Sequence, residues 1–331
     1  MNTNALWNHI ESRLGSQLPS WRTRADELRQ IDAVEDRMAG RTWSDDEVFE
    51  ALLLAVLSSN TDWSKIERVQ AELSDLFSGF SLKSYAALSE AEVGDHLLPW
   101  FKARKAGSMT LRRDLVNLID ASRILLKYRA THGTADGYFT SLIQRCKGDP
   151  KLAALRLGCH GAYKLPSLGV PLAAEALKNL GFDVAKPDRH VMRAVGSFGL
   201  VHFGRWTDAG ASKTGFATPV PTPRRQFLAM TAVQDIAEGA DERVVLVDNA
   251  IWLLCAKSEL HLTNQSLAEM AGERESPYHH AEGLGNLMQL WMDEENTSEQ
   301  RETLEYLLHA LDEDRLSDRK LFPEELKGES W

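Results

Sequence analysis

The spacing of the apolar residues most narrows what this chain can fold into: they recur three and four positions apart almost throughout, and no convincing run alternates with a period of two. Such spacing puts them on one face of a helix, so an all-α protein is expected. Two helix starts carry capping boxes, Ser44 with Glu47 and Ser89 with Glu92, in which hydroxyl and carboxylate satisfy each other's free backbone donors. Asp149 followed by Pro150 reads as a third start, because proline in the first turn gives up an N–H that has no helical partner anyway. An amphipathic helix is expected from Asp45 through Ser58, broken at Ser58-Ser59-Asn60-Thr61 and resuming from Trp63 to Leu76. Further helices are expected near 90–98, 102–118, 120–130, 136–146, 150–157, 171–180 and 188–198, then 224–238 and 242–257. Gly204 to Pro223, rich in Gly, Ser, Thr and Pro and containing TPVPTP, reads as a long irregular loop.

Charge is distributed unevenly. The chain has 331 residues and a net charge of -10, which argues against nucleic acid until its location is considered. Residues 271–331 hold 16 Asp/Glu and 6 Lys/Arg; removing these from the totals of 48 and 38 leaves 32 of each in residues 1–270. The body is neutral and the acidity belongs to an appended C-terminal region that still carries helix-like patches. Residues 101–130 contain Lys102, Arg104, Lys105, Arg112, Arg113, Arg123, Lys127 and Arg129 against Asp114 and Asp120, which makes either a phosphate-facing surface or a solvated helix face. Three scattered cysteines, Cys146, Cys159 and Cys255, make neither a disulfide framework nor a paired metal site. The N-terminus MNTNALWNHIESRL has no apolar targeting core, and the longest apolar run, Ala51 to Leu57, is far short of a membrane span, so a cytoplasmic protein without a membrane partner is expected.

The informative segment runs KLPSLGVPLAAEALKNLG (164–181) and continues FDVAKPDRHVMR (182–193). It reads as a short helix ending at Tyr163, a tight turn over Leu165 to Gly169, a helix ending at Gly181, and another helix starting at Asp188. A turn that presents consecutive N–H groups at a helix start binds an anion, and suits DNA phosphate because it senses position without sequence. An aspartate beside proline at a helix start is, taken alone, ordinary capping chemistry.

LPSLGVPLAAEAL followed by KPDRHVMRAV resembles the hairpin and catalytic-aspartate signature of the helix-hairpin-helix DNA glycosylase superfamily, nearest its endonuclease III and adenine glycosylase branches. That pattern is L-P-G-I/V-G, a helix, then V-D-T-H-V-x-R. Leu165, Pro166, Leu168 and Gly169 match the first element, with Ser167 in place of its first glycine; Asp188, His190, Val191 and Arg193 match the second. LLLAVLSSNTDW (52–63), LLPWFKARKAGSM (97–109) and VDNAIWLLCAKSEL (247–260) are similar to further family segments in the same order, so the likeness covers about 40–260.

The resemblance implies a two-lobed fold: N-terminal helices (1–45) packing with the C-terminal lobe, a helical lobe with the hairpin and aspartate (46–200), a loop and C-terminal lobe helices (201–270), and the acidic helical extension (271–331). It implies base excision from double-stranded DNA, with Asp188 as the catalytic carboxylate and Leu165, Pro166, Ser167, Leu168, Gly169 and Val170 as the phosphate-binding hairpin. Asn60 aligns with the residue that fills the gap left by an extruded base, while Pro171, Trp63, Tyr163, His190 and Arg193 are pocket or supporting residues. Bifunctional relatives carry a nucleophilic lysine two residues after the hairpin's last glycine; Pro171 stands there, so hydrolysis without strand cutting is expected. Only Cys255 lies where relatives hold an iron–sulfur cluster, so no cluster or other metal cofactor is expected, beyond a monovalent cation at the hairpin. Two other readings stay open: a catalytically inactive DNA-binding protein of this fold, and a helical interaction protein with no DNA role. The acidic region fits a protein partner or an autoinhibitory contact.

Overall fold

The computed structural model describes residues 3–159, 161–204, 206–207 and 215–272. Apart from residues 271 and 272, the acidic extension expected at 271–331 lies outside the described residues, as does part of the 204–223 loop.

The helices are α1 (Thr3–Gln17), α2 (Trp21–Asp26), α3 (Gln30–Met38), α4 (Asp45–Leu57), α5 (Trp63–Glu67), α6 (Gln70–Leu76), α7 (Leu82–Ala86), α8 (Glu90–Glu92) and α9 (Leu98–Ala103), with a π-helical turn at Val93–Leu97 joining α8 to α9. There follow α10 (Leu111–His132), α11 (Ala135–Arg145), α12 (Pro150–Gly158), α13 (Val170–Asn179), α14 (Arg189–Ser197), α15 (Pro223–Ala240), α16 (Val244–Cys255) and α17 (Asn264–Met270). The all-α expectation holds apart from β1 (Trp206–Thr207) and β2 (Thr218–Pro219), a two-residue antiparallel pair inside the stretch expected to be irregular, where β2 packs on α14. No described helix is long and apolar enough to cross a membrane.

Both capping boxes form, and Asp149 caps α12 by accepting from the N–H groups of Lys151 and Leu152. Local chemistry therefore sets these starts. Two boundaries differ from expectation. Residues expected as helices 102–118 and 120–130 form one helix, α10, preceded by a loop at 104–110. Leu115, Leu118, Ile119, Ala121 and Leu125 keep a single buried stripe across the supposed break, and Gly107, at φ +96°, starts the helix late. The helix before the hairpin ends at Gly158 instead of Tyr163, because Cys159 leaves helical geometry at ψ 178°.

The helices sort by their packing. α4, α7, α10 and α11 pack on one another, while α1 packs on α15, α16 and α17, and α14 joins that second group. α13 touches α4, α3, α12 and α15, so the helix that follows the hairpin joins the two groups. Close approach is needed at one point of this junction. Gly181, at φ +77°, lies against α3 so tightly that a Cβ would stand 2.1 Å from the Ala33 carbonyl oxygen.

Candidate active site

Three local constraints build the hairpin. A Cβ on Gly158 would stand 2.4 Å from the Val170 nitrogen and 2.5 Å from its Cα, so α12 and the start of α13 meet backbone to backbone. Leu165 and Leu168 are fully buried beneath the turn, and the Leu165 N–H donates to the Leu157 carbonyl. At the tip Ser167 takes φ +66°, a left-handed conformation costing roughly 1–2 kcal/mol for a residue with a Cβ. Its hydroxyl donates to the Asp114 carbonyl (2.7 Å), which ties the tip to α10 and offsets that cost. Gly169 precedes α13 with no side-chain cap, leaving the first-turn N–H groups of that helix without intrahelical acceptors.

Of the six hairpin residues, Leu165, Leu168 and Val170 face the core; Pro166 and Ser167 are half-buried and Gly169 is exposed. Substituting Gly158 by Ala should overpack the α12–α13 contact and cost about 1–3 kcal/mol. Thermal unfolding and duplex-binding anisotropy would check this; wild-type values in both would mean that the junction has slack. The Lys164 ammonium donates to the Leu168 carbonyl, so the hairpin already carries a positive charge of its own and fits a bare monovalent cation poorly. Among the described residues no cluster of three or more His, Cys, Asp or Glu side chains can hold a metal ion.

Asp188 caps α14. Its Oδ1 accepts from the His190 N–H (2.7 Å) and the Val191 N–H (3.2 Å), while among the described residues Oδ2 takes no hydrogen bond. Burial alone would push this carboxyl up; His190, Lys186 and the two backbone donors outweigh it and hold the group below its usual value. The result is a carboxylate with one oxygen anchored and one available. Burial likewise lowers the His190 imidazole.

Asp188 opens into a cleft of about 1200 Å³, whose walls also include Asn60, Trp63, Ser167, Gly169, Pro171 and His190. Asn60 is exposed at φ +48° in the turn after α4. The structure separates two residues from this group. Tyr163 does not line the cleft; it packs near Tyr138 and accepts the Tyr138 hydroxyl on its carbonyl (3.2 Å). Arg193 is 3% exposed and donates to the carbonyls of Leu262 and Cys255 and to Asn264, so it braces α14 from behind and reaches no phosphate.

The cleft floor holds residues that the motifs do not mark. Lys178 on α13 pairs with Asp248 on α16, and its ammonium also donates to Asn249 Oδ1 (3.1 Å). Lys178, Asp248 and Asn249 are almost completely buried. Burial pushes the Asp248 carboxyl up to about 6 against the pull of Lys178. Burial would lower Lys178, but Asp248 and Glu175 outweigh it and raise the ammonium. Gln30 on α3 donates to Glu175 Oε1 (3.0 Å) and Asn179 Oδ1 (2.8 Å), and Lys186 donates to Ser58 Oγ (2.9 Å). Among the described residues four buried polar atoms of the cleft take no hydrogen bond: Gln30 Oε1, Asn249 Nδ2, Trp63 Nε1 and Glu175 Oε2, the last lying 3.6 Å from the Lys178 ammonium and 3.8 Å from that of Lys186. One signal for the floor was readable, since Asp248-Asn249 interrupts the apolar run VVLVDNAIWLLC.

The basic stretch at 101–130 is largely neutralised. Arg104 pairs with Glu72, Arg112 with Glu90, Arg113 with Asp114, Arg123 with Asp120 and Arg129 with Asp45. Lys102, Lys105 and Lys127 make no ion pair among the described residues.

No family model and no curated protein sequence matches the chain. Among solved structures it is similar to the Methanocaldococcus jannaschii 8-oxoguanine glycosylase/lyase in complex with DNA containing 8-oxoguanine, with 16% identity and a TM-score of 0.48 over 74% of this chain and 94% of that one. The 8-oxoguanine DNA glycosylase of Thermotoga maritima gives 18% identity and a TM-score of 0.48 over 74% of this chain and 96% of that one. At that level the likeness carries no argument by itself.

Proposed function

We propose that this chain is a DNA glycosylase that hydrolyses the N-glycosidic bond of a damaged or modified base swung out of the duplex into the cleft. The observation that carries this reading is Asp188: a helix cap fixes one of its oxygens, and the other takes no hydrogen bond among the described residues, in a cleft bordered by an uncapped helix start. Breaking the base–sugar bond builds positive charge on the sugar. A preorganised carboxylate beside that carbon stabilises the charge and orients or deprotonates the attacking water. Backbone N–H groups at the hairpin would take a phosphate of the same strand, and Asn60 would fill the vacated stack.

Three of these buried polar atoms, those without an ion pair, suit a base. Gln30 Oε1 can accept, whereas Asn249 Nδ2 and Trp63 Nε1 can donate, so side-chain shifts on binding would let the floor read both kinds of group on a base edge. Leaving such atoms buried and unpaired costs about 1–3 kcal/mol each, which a correct base would relieve. Trp63 and Trp252 line the same cleft and could stack on a base.

Strand cutting needs an unprotonated amine on the sugar. Pro171 supplies none, and the pairing with Asp248 favours the ammonium form of Lys178. The reading therefore ends at an abasic site. A panel of duplexes with alkylated, oxidised, deaminated and bulky modified bases should yield free base, with the abasic strand intact until alkali is added. Nicking without alkali, together with borohydride trapping of the protein on DNA, would overturn the hydrolytic part. No release from any duplex would count against the reading as a whole.

A further inference from the structure

We infer that Met109 is a wedge, the side chain this protein drives into the base stack beside the nucleotide it extrudes; the inference rests on the glycosylase reading. Met109 is 105% exposed, whereas the next most exposed large apolar residue among those described, Met38, is 64% exposed. Isolated surface apolar residues are common, so exposure alone decides nothing. Position does more.

Met109 directly precedes Thr110, the residue that starts α10. An apolar residue there ordinarily folds back onto the fourth residue of its helix. In α10 that residue is Asp114, buried and engaged by the Thr110 hydroxyl at 2.6 Å, so the methionine has nothing to fold onto. It projects from a fixed base. Gly107 takes φ +96°, and a Cβ there would stand 2.5 Å from Leu111 Cδ2. Ser108 Oγ lies 3.1 Å from Thr110 Oγ1 and accepts the Thr110 N–H at 3.3 Å.

The base of the loop is tied to the hairpin, because the Asp114 carbonyl accepts the Ser167 hydroxyl at 2.7 Å. Arg113, Asp114 and Ser167 all line the cleft. An unbranched thioether on the loop that leads into Arg113 and Asp114 has the shape and polarizability to slip between stacked bases. Lys105, exposed on the same loop, and Lys102, exposed at the end of α9, are free of ion pairs among the described residues and would attract the backbone on either side. This wedge would act from the α10 side, separately from Asn60 in the turn after α4.

The test uses the full chain and a duplex with one tetrahydrofuran abasic analogue flanked by 2-aminopurine. Wild type should bind it more tightly than intact duplex and raise the 2-aminopurine fluorescence as the neighbouring bases unstack. Met109→Ala should lose most of that rise and roughly ten- to hundredfold in affinity, the factor for burying one such chain. Met109→Leu should keep both, and neither variant should unfold earlier than wild type. A Met109→Ala protein that unstacks and binds as wild type does overturns the wedge alone. A wild type with no preference for the abasic duplex overturns the wedge and the glycosylase reading together.

Discussion

Asp188→Asn should release base on the order of 10³-fold more slowly than wild type while binding the same duplex equally well. The substitution separates two roles that one side chain combines. Asparagine caps helices about as well as aspartate, so Oδ1 can still accept from His190 and Val191 and α14 keeps its start. The other oxygen becomes an amide nitrogen, which carries no negative charge for the developing sugar cation and takes no proton from water. The melting temperature should stay close to wild type, whereas Asp188→Ala should lose about 1 kcal/mol with the cap. Single-turnover base release, anisotropy and calorimetry on the two variants form the check. An Asp188→Asn protein that still excises at the wild-type rate would remove Asp188 from the chemistry and leave it a cap.

The second large effect concerns stability. Lys178→Met leaves Asp248 buried without its ammonium, and breaking a buried pair from one side costs about 3–5 kcal/mol. The melting temperature should fall by on the order of 10 °C. Adding Asp248→Asn removes the stranded charge while keeping an acceptor for the Lys186 N–H, which now donates to Asp248 Oδ1 at 2.9 Å. Most of the lost stability should return in the double variant. Base release should not, if the floor reads the base. Calorimetry of both variants decides the first point; a single variant that melts with wild type would mean that water reaches the pair and screens it.

Much of the fold is legible in the sequence, and the legible parts share one property. The α4 start at Ser44–Glu47, the α12 start at Asp149-Pro150 and the α14 start at Asp188 depend on residues two or three positions apart. The same range covers the turn at 165–169. Where the sequence misleads, the deciding contact is distant. A continuous buried face merges two expected helices into α10, and the basic look of residues 101–130 fades because Glu72, Glu90 and Asp45 come from other elements. Tyr163, expected as a pocket or supporting residue, packs instead near Tyr138, outside the cleft.

By itself the sequence determined a helical chain, most of its caps, the hairpin and an aspartate at the start of the following helix, since each follows from short-range spacing and hydrogen bonding. Only the tertiary structure decided what that aspartate faces. Gln30, Lys178 and Asp248 stand on three helices, as many as 218 positions apart in the chain, and nothing local to any of them announces the others. They meet because α13 packs against α3 and α3 against α16, and burial then forces most of their polar atoms to find a partner.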